Sequence, residues 1–331
     1  MKFITCASYY GTGSSAITDL VNECDNVHDM GDYEFRFIQD PDGIADLEYN
    51  LVENNHRHNS GYALKRYEKN VKYLAGNKLI KKYNRFFGDK WIELSKKYVK
   101  DLVAVEYKGS WHQEVRDLGF LPYFIERSVN KIVRLFDRER FLQIFLRNNT
   151  NYATYPGESF YSITKKYISD LFEVANTDNK EYVMADQLVP PTNVSRYLRY
   201  FDDIKVVCVD RDPRDLFLLE KTWKGTIIPK KVDEFCLWYK ATREHRKTEV
   251  DDPKKVLRIQ FEDLIYNYDK TSKKVLKFIG ISPDHHTKPQ TLLIPEKSMK
   301  NTKLWERIPE YAEEIKYIEK NLKEYLYKYK K

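Results

Sequence analysis

The sequence predicts an α/β fold in which helices flank a central parallel sheet. Four short apolar runs carry this prediction, at 2–7, 182–185, 205–209 and 256–261. The run at 205–209 is rich in Val and shows no alternation of polar and apolar residues, which is typical of a strand buried on both faces. Helical stretches separate the runs, and strands that alternate with helices indicate βαβ units.

The first run ends in a glycine loop that leads into a helix. SYYGTGSS is followed by AITDLVNEC, whose apolar residues recur at helical spacing. Unpaired backbone N–H groups and the positive end of the helix dipole converge at such a turn, and hydroxyls of Thr12, Ser14 and Ser15 add donors. The loop from Gly11 to Ala16 is therefore predicted to bind a phosphate-like anion through its amides, with a plain strand–helix turn as the alternative.

The middle of the chain has a different pattern. Residues 62–172 are rich in Lys, Tyr and Leu and contain no β-type run, so we expect a helical insertion within a single α/β domain covering 1–331. The segment YAEEIKYIEKNLKEYLYKYKK has acidic residues early and Lys late, a distribution that favours a C-terminal helix.

Composition excludes several classes of protein. The 331 residues are 42% hydrophobic and 32% charged, which argues against disorder, and the net charge of +7 suits anionic small ligands without the dense basic patches of nucleic-acid binding. The four scattered cysteines have no metal-ligand spacing and are expected as reduced core thiols. No membrane-spanning run and no signal peptide are recognised, so a cytoplasmic location is expected, while the oligomeric state stays undetermined.

The loop differs from the nucleotide-triphosphate signature GxxxxGK[ST]. That signature needs a lysine after its second glycine, and Ser14 occupies the position here. A kinase of this type also needs acidic residues for magnesium, and none can be assigned from the sequence. An ATP-dependent phosphotransferase is therefore a less favoured alternative.

Four segments, in chain order, resemble the superfamily of sulfotransferases that use 3′-phosphoadenosine 5′-phosphosulfate (PAPS). They are SYYGTGSSAITDLV, VVCVDRDPRDLFLLEK, VLRIQFEDLIYNYDKTSKKVLKFIGI and SMKNTKLWERIPEYAEEIKYIEKNL. Together they extend over nearly the whole chain. The resemblance implies a P-loop-like parallel sheet, PAPS as cofactor, no metal, and transfer of a sulfuryl group to a hydroxyl.

The resemblance also implies which residues hold the donor. Gly11, Thr12, Gly13, Ser14, Ser15 and Ala16 match the loop for the 5′-phosphosulfate, Arg211 matches the arginine for the 3′-phosphate, and Lys300, Asn301 and Lys303 match a covering loop. Two positions depart from the family pattern. Gly11 stands where many members have Lys or Arg, and Leu219 stands where a serine is usual, with Lys221 or Thr222 as its suggested replacement. RDPRD as a charged helix cap is the alternative for Arg211.

Glu34 is the predicted general base. In the carbohydrate-modifying branch of the family this base lies on the strand after the first helix, and Glu34 in DYEFRF follows Gly13 at the matching distance. An ion pair with Arg36 is the alternative role, and His28 is a competing base. Asp186 and Gln187 end a strand and are predicted to contact the acceptor. His56 and His58 lack a third metal ligand.

These assignments predict a sulfotransferase with a glycan or glycan-like acceptor. Two alternatives stay open: a P-loop kinase or related phosphotransferase, and a non-catalytic protein that binds a nucleotide or a glycan. No sequence motif identifies the acceptor, whose pocket we expect the 62–172 insertion to shape.

Overall fold

A computed structural model describes residues 1–77, 79–109, 112–146, 148–223 and 226–329. The chain divides into two compact units, one formed by Met1–Gln39 with Ile168–Lys331 and the other by Asp40–Tyr167. The first unit contains a five-stranded sheet and the second contains a two-stranded sheet.

The strands are β1 (Lys2–Ser8), β2 (Val27–Glu34), β3 (Val105–Lys108), β4 (Thr150–Ala153), β5 (Tyr182–Asp186), β6 (Ile204–Asp210) and β7 (Val256–Gln260). The five-stranded sheet has the order β2-β5-β1-β6-β7, and all its neighbours are parallel. The predicted α/β fold with a central parallel sheet is confirmed. The predicted apolar runs lie in strands of this sheet. Their sequences are apolar because β1, β5 and β6 are buried almost throughout.

The helices are α1 (Ser14–Asn22), α2 (Ile44–Glu48), α3 (Asn59–Ala75), α4 (Asn84–Phe87), α5 (Lys90–Leu102), α6 (His112–Asp117), α7 (Phe120–Phe136), α8 (Ser159–Ala175), α9 (Val194–Leu198), α10 (Pro213–Trp223), α11 (Val232–Glu244), α12 (Phe261–Tyr266), α13 (Tyr268–Ile279), α14 (Pro295–Met299) and α15 (Ala312–Asn321). A π-helical turn covers Tyr49–Glu53, and short 3₁₀ turns cover His245–Thr248, Pro283–His285, Leu304–Glu306, Pro309–Tyr311 and Lys323–Tyr325.

Two apolar clusters stabilise the first unit. One packs α1, α12 and α13 against the sheet and includes Ile4, Ile17 and Val207. The other joins α10, α11 and α15 through residues such as Phe217 and Ile318. Because all five strands are parallel, their carboxyl ends meet at one edge of the sheet, where ligands of open α/β folds bind.

The second unit is held by aromatic and hydroxyl contacts. The rings of Tyr98 and Tyr167 stack with centroids 4.4 Å apart, and Trp91 contacts Tyr83 edge-on at 4.7 Å. The buried Tyr167 hydroxyl hydrogen bonds Ser95 at 2.7 Å. Buried hydroxyl groups therefore find partners inside this unit, as burial of polar groups requires.

Two details differ from the sequence predictions. The 62–172 segment, expected to contain no strand, includes the antiparallel pair β3 and β4. The sequence did not reveal these strands because each is a stretch of four residues without an apolar run. The C-terminal helix ends at Asn321, because the following chain turns to pack Tyr325 against Tyr239, with ring centroids 5.2 Å apart.

The cysteines and the helix lengths can also be compared with the predictions. Cys6, Cys24, Cys208 and Cys236 all belong to the described part of the chain, and each is buried and unpaired. Among the described helices, none is both long enough and apolar enough to cross a bilayer.

Candidate anion-binding cleft

A cleft of about 820 Å³ opens at the carboxyl edge of the five-stranded sheet in the first unit. In this sheet β5 and then β2 lie on one side of β1, while β6 and β7 lie on the other. The lining of the cleft includes Ser8, Tyr9, Tyr10, Gly11, Gly13, Ser14, Ser15, Ala16, Asp19, Glu34, Arg36, Gln187, Arg211, Leu219, Glu220, Phe261 and Asn301. The glycine loop, the end of β6 and the segment after α14, which are far apart in sequence, therefore meet in one cleft.

The glycines of the loop are required by its geometry. Gly11 has φ 72° and Gly13 has φ 100°, values in the left-handed region that favours glycine. A Cβ on Gly11 would lie 2.9 Å from Leu216 Cδ1, and one on Gly13 only 2.5 Å from Phe261 Cδ2. Gly13 is the N-cap of α1 and offers no side chain to cap it. The Ala16 N–H donates to the Gly13 carbonyl at 3.2 Å, so an anion at this helix end would use the amides of Ser14 and Ser15, which line the cleft.

The hydroxyl-bearing residues of the loop have different surroundings. The cleft is lined by Ser14, Ser15 and Ala16, three of the loop positions that were predicted to bind an anion. Thr12 is fully buried, and its hydroxyl lies 2.7 Å from the carbonyl of Tyr9 and 2.9 Å from that of Val209. The expectation that Thr12 donates to an anion is therefore corrected: its side chain holds the loop to β6.

Arg211 is the buried cation of the cleft. Its side chain, in a residue only 5% exposed, lies over the Phe261 ring with a centroid distance of 4.7 Å. Its Nη1 donates to the Gly11 carbonyl at 3.4 Å, Nη2 donates to the Asn301 carbonyl, and Nε has no hydrogen-bond partner. The guanidinium therefore has one N–H donor, at Nε, that could bind an anion in the cleft.

Nearby carboxyl groups only partly compensate the Arg211 charge. Burial raises the pKa of Glu262 to about 8, so this carboxyl is largely protonated at neutral pH. Burial also raises the pKa of Asp215 to about 6 and lowers the pKa of Arg211 itself. The Asp215 carboxylate accepts the backbone N–H groups of Lys303 at 3.1 Å and Leu304 at 2.8 Å. Asp215 therefore fixes the segment after α14 beside Arg211.

The predicted lysines do not face the cleft. Lys300 is exposed, and the Lys303 ammonium lies 4.8 Å from the Tyr329 ring centroid and 3.9 Å from Glu306 Oε1. The Lys221 ammonium lies over the rings of Phe217 and Tyr311, at 5.1 Å and 5.4 Å. The segment after α14, predicted to cover the donor, therefore contributes Asn301 to the lining of the cleft, whereas its lysines do not line the cleft.

Leu219 lines the cleft at the position where the family resemblance implies a serine. It is 8% exposed, on the face of α10 that also presents Leu216 and Glu220 to the cleft. Lys221 lies two residues further along the helix, and residues two apart point to different faces. This explains why Lys221 does not replace the serine.

Glu34 ends β2 next to the end of β5, where its Cα pairs with that of Asp186. The register between β2 and β5 shifts between Asp29 and Glu34, and the left-handed Gly31 lies within this bulge. The Glu34 carboxylate is 3.9 Å from the Arg36 guanidinium, and both side chains are about half exposed in the cleft, at 52% and 44%. The structure shows the ion pair with Arg36 and leaves the Glu34 carboxylate accessible in the cleft, and its role as a base stays a prediction.

His28 lies away from this edge. It pairs with Val183 near the amino end of β2, and its Nδ1 contacts Asp178 at 2.5 Å. A base must reach the reacting hydroxyl, so this placement favours Glu34 over His28.

Asp186 and Gln187 follow each other at the end of β5, and only Gln187 lines the cleft. Asp186 is 4% exposed with its Oδ1 unpartnered, and burial raises its pKa to about 7 against the lowering effect of a Ser14 hydrogen bond. Gln187 lines the cleft in a left-handed conformation, and its Nε2 donates to Ser8 Oγ at 2.6 Å. Gln187 is thereby fixed to β1, while Asp186 lies beneath the lining.

Two further carboxyl groups reduce the positive charge of the cleft. Asp19 and Glu220 line it, and burial together with neighbouring acids raises the pKa of Asp19 to about 6. Among the described lining residues the cations are Arg36 and Arg211, so binding of an anion depends on these two side chains and on the loop amides. Arg36 was considered from the sequence only as a partner of Glu34, and no motif assigned it to the donor.

Within the described residues, no group of three or more His, Cys, Asp and Glu side chains is arranged to hold a metal ion. The chemistry that the cleft can support is the binding of an anion at the loop and Arg211, with a carboxylate beside it at Glu34.

No protein-family model matches the sequence, and no curated protein matches it. Several solved structures resemble the chain, and some of them are described as sulfotransferases. The sulfotransferase domain of the Synechococcus PCC 7002 olefin synthase has 11% identity and a TM-score of 0.42, covering 91% of this chain and 87% of its own.

Two others show similar values. Retinol dehydratase, in a complex with androsterone and the inactive cofactor PAP, has 16% identity and a TM-score of 0.33, covering 91% of this chain and 67% of its own. A Mycobacterium tuberculosis H37Rv sulfotransferase has 10% identity and a TM-score of 0.34, covering 91% and 76%. Likenesses of this size carry no argument about ligand or activity, which must come from the cleft itself.

Proposed function

We propose that this protein is a sulfotransferase that uses PAPS and transfers a sulfuryl group to a hydroxyl of a glycan or glycan-like acceptor. The observation that carries the proposal is Arg211: a buried guanidinium with an unused Nε donor, in the same cleft as the open amino end of α1. Two separate anion sites in one cleft suit a donor that carries negative groups at two positions.

The residues present fit such a donor. The loop amides and the hydroxyls of Ser14 and Ser15 would hold the 5′-phosphosulfate, and Arg211 would hold the 3′-phosphate by a charge-assisted hydrogen bond. Asn301, held by the Asp215-anchored segment, would close this end. PAPS, when bound, supplies an activated sulfuryl group. The cleft volume of about 820 Å³ lies within the usual range for small-ligand sites.

Glu34 would accept the proton of the acceptor hydroxyl. Its carboxylate lies in the cleft at the end of β2, and its exposure allows an acceptor to approach from solvent. A carboxylate within hydrogen-bond reach of a hydroxyl acts as a general base. The glycan acceptor is proposed on the resemblance of Glu34 to the base of the carbohydrate-modifying branch.

Arg36 is the candidate for the cation that Gly11 does not supply. It lines the same cleft and lies 3.9 Å from Glu34, at the end where the acceptor would enter. A guanidinium there would stabilise negative charge that develops during transfer.

Ligand-dependent thermal unfolding and a turnover assay together test the proposal. We expect adenosine 3′,5′-bisphosphate to raise the unfolding temperature without metal, and ATP with magnesium to have no comparable effect. We also expect labelled PAPS to transfer its sulfuryl group to members of a glycan acceptor panel. Stabilisation by ATP and magnesium alone would indicate a phosphotransferase, and bisphosphate binding without transfer to any acceptor class would indicate a binding protein.

A further inference from the structure

Helix α7 in the second unit has an unusual distribution of side chains: polar residues are buried and large apolar residues are exposed. Glu126 and Asn130 are 5% and 4% exposed. Asn130 Nδ2 donates to the Leu142 carbonyl at 2.8 Å, and Glu126 Oε2 accepts the Ile144 N–H at 3.0 Å. These bonds hold the chain after α7 against the helix, and we call residues 120–146 the α7 hairpin.

One face of α7 is apolar and exposed. Its exposed apolar side chains are Phe120, Leu121, Phe124, Ile125, Ile132, Leu135 and Phe136. Phe120 is 78% exposed, Leu135 79% and Phe136 88%. At about 100° per residue these side chains fall on one face of the helix. The chain after α7 also exposes Phe141, Ile144 and Phe145. An exposed apolar helix face of this size is typical of an interaction site.

Cations border this apolar face. The exposed basic side chains of the hairpin are Arg127, Lys131, Arg134, Arg138 and Arg140, whereas its exposed acidic ones are Asp137 and Glu139. Arg127, Lys131 and Arg134 lie along one edge of the apolar face at helical spacing. Lys131, Arg134, Arg138 and Arg140 form no ion pair with another residue that the structure describes.

We propose that the α7 hairpin binds an anionic lipid surface, with α7 lying in the interface. An exposed aromatic and aliphatic face edged by Lys and Arg is the pattern of a helix that inserts its apolar side below lipid headgroups. A second copy of the chain suits the surface less well. A two-fold contact through this face would gather the cations of both copies around one interface. The anionic headgroups complement them.

Co-sedimentation with vesicles tests the proposal. One set contains phosphatidylcholine with about one quarter phosphatidylglycerol, and the other contains phosphatidylcholine alone. We expect the full chain to bind the anionic vesicles, and the double variant Phe124→Asp with Leu135→Asp to bind at least about tenfold less. Lys131→Glu with Arg134→Glu is expected to remove the preference for anionic lipid. Leu237→Asp is the matched control, since Leu237 is 70% exposed outside the hairpin.

The outcomes are distinguishable. Thermal unfolding of each variant without vesicles verifies that the fold is intact. We expect it to be intact, because the altered side chains are exposed. Equal vesicle binding by the wild type and the Phe124→Asp, Leu135→Asp variant would overturn the proposal, as would no binding at all. A dimer that the same double variant dissociates, without vesicle binding, would assign the surface to a second copy instead.

Discussion

Arg211 and Arg36 are the cations among the described residues that line the cleft, and their surroundings differ. Arg211 is 5% exposed, is stacked on Phe261 and is fixed by the carbonyls of Gly11 and Asn301. Arg36 has a side chain 44% exposed, 3.9 Å from Glu34. One end of the cleft is therefore preorganised by burial, while the other is open to solvent.

This difference indicates which end of the cleft each substrate would use. A buried, fixed guanidinium binds an anion strongly, because neither water nor a flexible side chain competes for the contact. The buried end of the cleft therefore suits the phosphorylated part of the donor, which is the same for every acceptor. The open end, with a carboxylate and a guanidinium side by side, suits an acceptor that enters and leaves.

Glu34→Gln should have the largest effect, lowering turnover by roughly two orders of magnitude or more. The amide keeps the size of the side chain but cannot take a proton, so affinity for adenosine 3′,5′-bisphosphate should stay nearly unchanged. Steady-state turnover with PAPS and direct bisphosphate titration measure the two quantities. Asp32→Asn, an exposed change on the same strand, is the control, and unchanged turnover in Glu34→Gln would remove Glu34 from the mechanism.

Arg211→Ala should weaken bisphosphate binding by about 2 kcal/mol, the scale of one lost charge-assisted contact. Arg36→Ala is the comparison: it should lower turnover while leaving bisphosphate affinity within about threefold, because this ligand lacks the sulfuryl group that Arg36 is proposed to face. Isothermal titration of both variants measures the difference. Equal losses of affinity in the two variants would contradict the division of the cleft into a donor end and an acceptor end.

Asp186→Asn should change how stability depends on pH. Burial raises the folded-state pKa of Asp186 to about 7, whereas an unfolded Asp titrates near 4. Between these values the folded state binds more protons than the unfolded state, so the contribution of Asp186 to stability falls as pH rises from about 4 to about 7. The variant should therefore gain at least about 1 kcal/mol relative to wild type on going from pH 5 to pH 8.

Urea unfolding at both pH values measures this change. Glu262 and Asp215 also have raised pKa values, but they are present in both proteins, so the difference between the two pH profiles isolates Asp186. Parallel profiles would mean that Asp186 does not titrate in this range.

The sequence predicted the parallel sheet and the glycine loop because both are local signals. A buried strand shows as a run without alternation, and the loop shows as glycines between that run and a helical pattern. The family resemblance, rather than a local pattern, implied that Arg211 and Asn301 lie near the loop, and both line the same cleft. Side-chain direction did not follow: Thr12 was expected to face the ligand, but its hydroxyl contacts carbonyls inside the fold.

The bulge in β2 shows why the open end was harder to predict. Counting from Gly13 placed Glu34 on the second strand, but the register shift between Asp29 and Glu34 is set by pairing with β5, which lies far along the chain. The contact between Arg211 and Asn301 was also hard to predict, because it uses the backbone carbonyl of Asn301. A backbone contact leaves no signal in the type of residue.

Lys221→Ala should have the smallest effect, changing bisphosphate affinity by less than about twofold. The Lys221 ammonium lies over the rings of Phe217 and Tyr311 and does not line the cleft, even though Leu219 and Glu220 beside it do. Its charge is therefore too far from the donor end to contribute a direct contact, and water screens what remains. Titration at low and at moderate salt measures the affinity, and a loss comparable to that of Arg211→Ala at both salts would mean that α10 presents Lys221 to the donor after all.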